Sequence, residues 1–235
     1  IVMNLQNTNR FHMKGKIFFY IIFAFAIFIT SCGEYEKLLK SSDYQLKYQK
    51  AFEYYEEEEY VKAATIFEQI ANVYKGTNKA DTLQFYRAYS YFHQRDYYMA
   101  GHYFEELIQT FPSSEFAEES SFMNGYCYYM LSPRPSLDQS NTYKAINTLT
   151  LFKMNFPTSD KVDEANRIIK EMEEKLVEKS YISARLYYDL SKYQSAIIAL
   201  RNSLNEYPDT KYREELMFMI LESSYQIAAN SVPEK

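Results

Sequence analysis

Two thiols and two histidines are the side chains, beyond the first dozen residues, whose type alone could do chemistry. Cys127 lies in MNGYCYYML, between aromatics, with no His near it in sequence to act as a base; a small buried hydrophobe fits it better than a nucleophile. His93 and His102 stand nine apart with no Cys or carboxylate cluster at ligand spacing, so they do not read as a metal site. They read as satisfied or solvent-facing. There is no glycine-rich phosphate loop, no HExxH, no GxSxG and no Ser/His/Asp set. Catalysis is not expected, and no cofactor is implied.

Cys32 is different, because of what precedes it. Translation is expected to start at Met13, or at Met3; Lys14 and Lys16 then lead into the apolar run Ile17–Ile29, which breaks at Thr30-Ser31-Cys32. Thirteen residues fall short of the roughly 20 that span a bilayer and match the h-region of a signal peptide. Ile29-Thr30-Ser31-Cys32 resembles the bacterial lipobox, an apolar residue and two small ones before a Cys that is diacylated at its thiol and becomes the new N-terminus. Each buried CH₂ adds about 0.8 kcal/mol of membrane affinity, so two or three acyl chains hold firmly. A transmembrane anchor with an incidental Cys is the alternative. With Cys32 acylated, Cys127 is the one remaining thiol and no intrachain disulfide can form.

These residues must be carried by a body, and composition says which kind. Of 235 residues, 25 are Tyr and 17 Phe against 5 Gly, which suits helices packed through aromatics. Residues 1–31 contain Arg10, Lys14 and Lys16 and no acid; the other 23 basic residues face 31 acids, net −8. Nucleic acid, which needs clustered cations, is set aside as a partner.

The pattern Tyr97, Ala100, Phe104, Leu107, Pro112 recurs as Tyr60, Ala63, Phe67, Ile70, as Ala145, Leu149, Phe152, Pro157 and as Tyr193, Ala196, Leu200, Ser203, Pro208. This is the second helix of a tetratricopeptide (TPR) unit, where a small residue lets helices approach and Pro stops the helix. The first helices carry Ala51, Ala88, Gly125 and Ala184, followed three residues on by Tyr54, Tyr91, Tyr128 and Tyr187. The sequence therefore predicts an all-α, TPR-type α-solenoid of about five helix-turn-helix repeats, the last incomplete. The expected divisions are an upstream segment and signal peptide over 1–31, a lipidated Cys and tether over 32–43, and TPR 1 over 44–80. TPR 2 follows over 81–116, then TPR 3 over 117–158, a long helix with TPR 4 over 159–209, and the first helix of TPR 5 over 210–235. Ser114, Ser159 and Thr210 are expected N-caps, with acids at 118, 163 and 214 near the positive helix ends. The apolar face of Leu216, Phe218, Met219 and Leu221 is expected to meet a capping helix missing from a truncated chain, or some other cover.

Small residues twelve apart mark TPR 1, 2 and 4, whereas Gly125 and Ala145 are twenty apart. TPR 3 thus carries an inserted loop at 132–140, SPRPSLDQS, whose two prolines forbid helix. On the first helices, spacings of three and four gather Tyr48, Phe52 and Tyr55; Phe85, Tyr89 and Phe92; and Phe122, Tyr126 and Tyr129. If they face a groove, flat rings there would suit an extended, aromatic-bearing segment of another protein. Core packing is the competing reading of any one of them.

Together the lipobox, the repeats, the insertion with its Ser132, Pro133, Arg134, Asp138 and Gln139, and Ala184, Tyr187 and Tyr188 ahead of Tyr193 resemble the BamD family of outer-membrane lipoproteins. The resemblance implies a non-enzymatic scaffold of the β-barrel assembly machinery, lipid-anchored at Cys32 and facing the periplasm. It implies BamA, the barrel-inserting protein, as a partner of the C-terminal repeats, and unfolded outer-membrane protein precursors as partners of the N-terminal ones. The expected partner-binding residues are Tyr48, Phe52, Tyr55, Phe85, Tyr89, Phe92, Tyr126, Arg134, Asp138 and Gln139. Where many members have Arg before the turn of repeat 4, this chain has Leu190, so no ionic contact carries over there. A different TPR lipoprotein, such as a SusD-like glycan-binding receptor, or an enzyme using Cys127, are the rival readings.

Overall fold

The computed structural model describes residues 33–231; the leader Ile17–Ile29 and Cys32 lie outside the described residues. Residues 33–40 form α1. There follow α2 (Tyr44–Glu56), α3 (Tyr60–Tyr74), α4 (Ala80–His93), α5 (Tyr97–Thr110), α6 (Ala117–Leu131), α7 (Ser140–Asn155), α8 (Val162–Asp189), α9 (Tyr193–Glu206) and α10 (Arg213–Asn230). Two compact units divide between Lys75 and Gly76. In the first, α2 pairs with α3; in the second, each helix from α4 to α10 packs on the next, and α6 and α10 also reach α8. Every regular element of the described residues is helical, and the architecture is a TPR-type α-solenoid.

The repeat register is realised residue by residue. Ala51, Ala63, Ala88, Ala100, Ala145 and Ala196 are fully buried, as are Phe67, Phe104, Phe152, Leu149 and Leu200. The crossing at Gly125 is tight: a Cβ there would lie 2.7 Å from Leu149 Cγ and 3.3 Å from the Leu149 amide nitrogen. Only a hydrogen fits.

Three hairpins turn in one way. Glu58, Arg95 and Ser191 take φ of 60°, 63° and 54°, and the next amide reaches back to a helical carbonyl: Glu59 to Tyr54 at 2.8 Å, Asp96 to Tyr91 at 3.0 Å, Lys192 to Tyr187 at 2.9 Å. This is the Schellman cap, usually built on Gly. Its absence from these positions hid the turn type in the sequence.

The Pro-led connections correct one expectation. Ser114, Ser159 and Thr210 do not cap the helices themselves; their hydroxyls accept from the amides of Phe116, Lys161 and Tyr212, each at 3.2 Å. A separate turn closes first, with Ala117, Val162 and Arg213 donating to the carbonyls of those same three residues. Glu118, Asp163 and Glu214 do fall in first turns. Side-chain caps come instead from Asp43, to the Leu46 amide at 2.9 Å, and Asp96, to the Met99 amide at 3.1 Å.

The expected tether over 33–43 is largely helix. Tyr35 and Leu38 are three apart, so one face of α1 can pack: Leu38 is buried and Tyr35 meets Tyr54 edge-on at 5.6 Å. Helix α8 runs unbroken for 28 residues, because no Gly or Pro interrupts its apolar period. Its first half puts Ala165, Ile168 and Met172 into the core of α4–α7, and its second half puts Tyr181 and Ala184 against Ala196, Leu200, Leu216 and Met219. The apolar face expected on α10 is thus divided, with Leu216 and Met219 buried and Phe218 and Leu221 exposed.

Two stability outcomes follow. Gly125→Ala should cost about 1–3 kcal/mol from overpacking, read in urea melts, and Leu149→Ala should recover part of it in a double-mutant cycle. Arg95→Gly should be neutral or stabilising by up to about 1 kcal/mol, whereas the β-branched Arg95→Val should destabilise, since only the first relieves a positive φ.

Candidate functional site

The first-helix rings are neither loose nor fully sunk. Tyr48, Phe52, Tyr55, Phe85, Tyr89, Phe92, Tyr126 and Tyr129 are all half-buried, and Phe122, placed with them from the sequence, is buried in the core. A ring at spacing three or four on a first helix has one side against the second helix of its own hairpin, so the stripe is a packing seam along one edge. In the first unit Phe52 meets Phe67 edge-on at 5.2 Å, Tyr48 meets Phe52 at 4.9 Å and Tyr74 at 5.3 Å, and Tyr55 meets Tyr60 at 5.4 Å. In the second, Phe85 stacks on Phe116 at 4.3 Å, Tyr89 meets Phe104 at 5.1 Å, and Phe92 bridges to Tyr126 at 6.0 Å. Phe122 lies 5.5 Å from Phe152, which draws it inward. Within each unit the rings are thus held by their neighbours.

Within the second unit, tyrosine hydroxyls fasten each first helix to the following one. Tyr89 on α4 donates to Glu119 on α6, and Tyr129 on α6 donates to both oxygens of Glu171 on α8 at 3.2 Å. Tyr181 on α8 donates to Glu215 on α10 at 2.7 Å, and Tyr188 to Glu222. Three of the carboxylates also hold a cation: Lys161 with Glu119 at 3.0 Å, Arg167 with Glu171 at 3.3 Å, Arg185 with Glu215 at 3.3 Å. Glu222 pushes the Tyr188 phenol up to about 12, chiefly through that hydrogen bond. These partners are separated by 30 to 42 residues, and with 31 acids spread along the chain nothing in the sequence singled them out.

The inserted loop, 132–139 between α6 and α7, is a built structure. Gln139, expected as a partner-binding residue, is 5% exposed. Its Nε2 donates to the carbonyls of Arg134 at 2.9 Å and Leu137 at 3.0 Å, and its Oε1 accepts from the Thr142 hydroxyl at 2.6 Å. It is the pin of the loop, not its surface, because Pro133 and Pro135 prevent the loop from satisfying its own carbonyls by helix. From α8, Lys175 donates to Ser132 Oγ at 2.8 Å and Lys179 to the Ser136 carbonyl at 3.0 Å. Burial holds the Lys175 ammonium below the usual lysine range. Arg134 and Asp138 are exposed. The Ser140 hydroxyl, then its amide, hold the Asp138 carboxyl below its usual range.

Between this loop and α8 lies a cleft of about 530 Å³, lined by Ser136, Lys179, Ile182, Arg185, Leu186 and Asp189. Ile182, Leu186 and Leu190 follow one another at intervals of four and are exposed, as is Leu137 on the loop. This row makes the face of α8 beside the loop apolar.

The other candidate groups have local explanations. Cys127 is fully buried and lies against Gly101, where a Cβ would be 3.3 Å away; burial pushes its thiol up to about 12. His93 and His102 are exposed. Among the described residues no group of three or more His, Cys, Asp or Glu is placed to hold a metal ion, and no helix is long and apolar enough to cross a membrane.

Gln139→Ala should cost about 1–3 kcal/mol, since it removes the bonds of a buried amide to the Arg134 and Leu137 carbonyls and the Thr142 hydroxyl, and amide exchange should rise first over residues 132–142. The thiol of Cys127 should react with a disulfide reagent only on unfolding. Its raised pKa means the folded state binds more protons than the unfolded one above about pH 9. That contribution is fully present below pH 9 and is lost as pH rises toward 12. Replacing Cys127 by Ala should flatten this alkaline slope in pH-dependent melts.

The chain and a solved structure, the TPR2AB-domain:pHSP90-complex of yeast Sti1, are 14% identical, with 77% of this chain and 72% of that chain covered and a TM-score of 0.43. A search of curated proteins gave no match. The family model described as outer membrane lipoprotein, YfiO, matches residues 41–235. That span takes in all of α2–α10, the inserted loop included, and the chain belongs to this BamD-like family of outer membrane lipoproteins.

Proposed function

We propose that the protein is a non-enzymatic scaffold in the assembly of β-barrel proteins at the outer membrane, anchored through acylated Cys32 on the periplasmic side. It holds a BamA-like barrel protein and receives unfolded outer-membrane protein precursors. The observation that carries this reading is the family match over 41–235 joined to a loop at 132–139 that is pinned at three points and displays Arg134 and Asp138.

The BamA-like partner docks on that loop and the adjoining face of α8. With Leu190 exposed beside Leu186 and Ile182, the contact there is apolar, with Lys179, Arg185 and Asp189 at its margin. Preorganisation of the loop lowers the ordering cost of docking. Precursors engage the ring edges of Tyr48, Phe52 and Tyr55 on the first unit and of Phe85, Tyr89, Phe92 and Tyr126 on the second. Flat rings already fixed by their neighbours bury area at little cost in side-chain entropy.

Affinity purification of the solubilised lipoprotein from its own membranes should recover a BamA-like protein. Leu186→Glu with Arg134→Ala should reduce that recovery at least about tenfold, the scale of a hot-spot loss, and leave photo-crosslinks from positions 52 and 89 to precursors in place. Recovery of unrelated proteins alone would overturn the proposal.

A further inference from the structure

Helix α1 occupies the stretch where a flexible spacer between lipid and body would ordinarily lie, and it is fixed to the first repeat at several points. Leu38 is 7% exposed. Tyr35 packs edge-on against Tyr54, and the Lys62 ammonium lies 5.9 Å from the centre of the Tyr35 ring and 5.3 Å from that of Tyr54. Lys47, 4% exposed, donates from Nζ to the Leu39 carbonyl at 2.9 Å and to Gln69 Oε1 at 2.7 Å. That carbonyl belongs to the last turn of α1, where a cation is favoured by the helix dipole. Ser41 and Asp43 then close the link to α2: the Ser41 amide donates to the Leu38 carbonyl at 3.1 Å and the Asp43 amide to Ser41 Oγ at 3.0 Å.

We propose that α1 is a rigid mount that holds the first repeat at a fixed distance and tilt from the bilayer. This inference rests on the reading of Cys32 as the acylated residue. Gly33, its neighbour in sequence, is already helical, so no spacer separates anchor from fold. An unstructured segment 33–43 would have an r.m.s. reach of about 18 Å and a limit of roughly 36 Å. As helix, α1 is about 12 Å long and lies along the body instead of paying out from it. Its contacts on α2 include Lys47 and Tyr54. The partner of this device is the lipid surface itself, and its effect is to present the first-unit rings to the periplasm in one orientation.

The test uses the full acylated lipoprotein in vesicles that carry a headgroup acceptor dye. A donor is placed at Val61→Cys, an exposed site on α3; buried Cys127 stays unlabelled. Time-resolved energy transfer should give one narrow distance distribution. Inserting six Gly/Ser residues between Cys32 and Gly33, which leaves α1 intact, should widen it at least twofold. The triple variant Tyr35→Ala, Leu38→Ser, Lys47→Ala should do the same, with α2 and α3 still folded by circular dichroism. A wild-type distribution as wide as that of the insertion variant, with acyl chains on Cys32 confirmed by mass spectrometry, overturns the mount and spares the lipoprotein reading. An unmodified Cys32 overturns both.

Discussion

The close approach of helices at small residues is the constraint on which the rest of this structure depends. Where Ala51, Ala88, Gly125 and Ala184 lie buried in the first helices, backbones can come near enough for the large rings to fall on either side of the crossing and not in it. Those rings are then held in fixed positions at the seam. The first-helix face has a defined surface because nothing bulky props the hairpins open. At Gly125 the constraint reaches its limit, with Leu149 filling the place where a Cβ would be.

Upon that frame the second unit adds polar fastenings. Each Tyr–Glu bond joins helices that are not neighbours in sequence, and most of these acids also bind a Lys or Arg. Individually such half-exposed contacts are worth little. Their repetition from α4 to α10 matters more, since each fixes the spacing of one first helix from the next and so the shape of the surface offered to a partner. The aromatic character of that surface is accordingly tempered, since tyrosine hydroxyls are engaged by carboxylates.

Periodicity made the second helices, the small crossing residues and the length of α8 legible in the sequence, because each depends on spacing within one segment. Fully buried Ala100, Phe104, Ala145 and Leu149 stand where the repeat placed them. The sequence was less informative wherever the outcome depends on a distant partner. Gln139 reads as a polar loop residue until Arg134, Leu137 and Thr142 are seen around it, and Phe122 reads as a groove ring until Phe152 is seen beneath it. Helix α1 was read as a spacer because its eight residues are too few to show a period by themselves; Tyr54, Lys47 and Lys62 supply the reason it folds. The Schellman turns escaped notice for a local reason, since Glu, Arg and Ser occupy a position normally marked by Gly.

The third hairpin replaces that three-residue reversal with an eight-residue crossover. Chain-closure entropy grows only with the logarithm of length, so the longer link costs its hairpin roughly 1 kcal/mol more than the short ones. Bonds from Gln139, Lys175 and Lys179 are more than sufficient to offset that. Segment length at this place is consequently almost neutral for folding, provided the tight Gly125 crossing is kept.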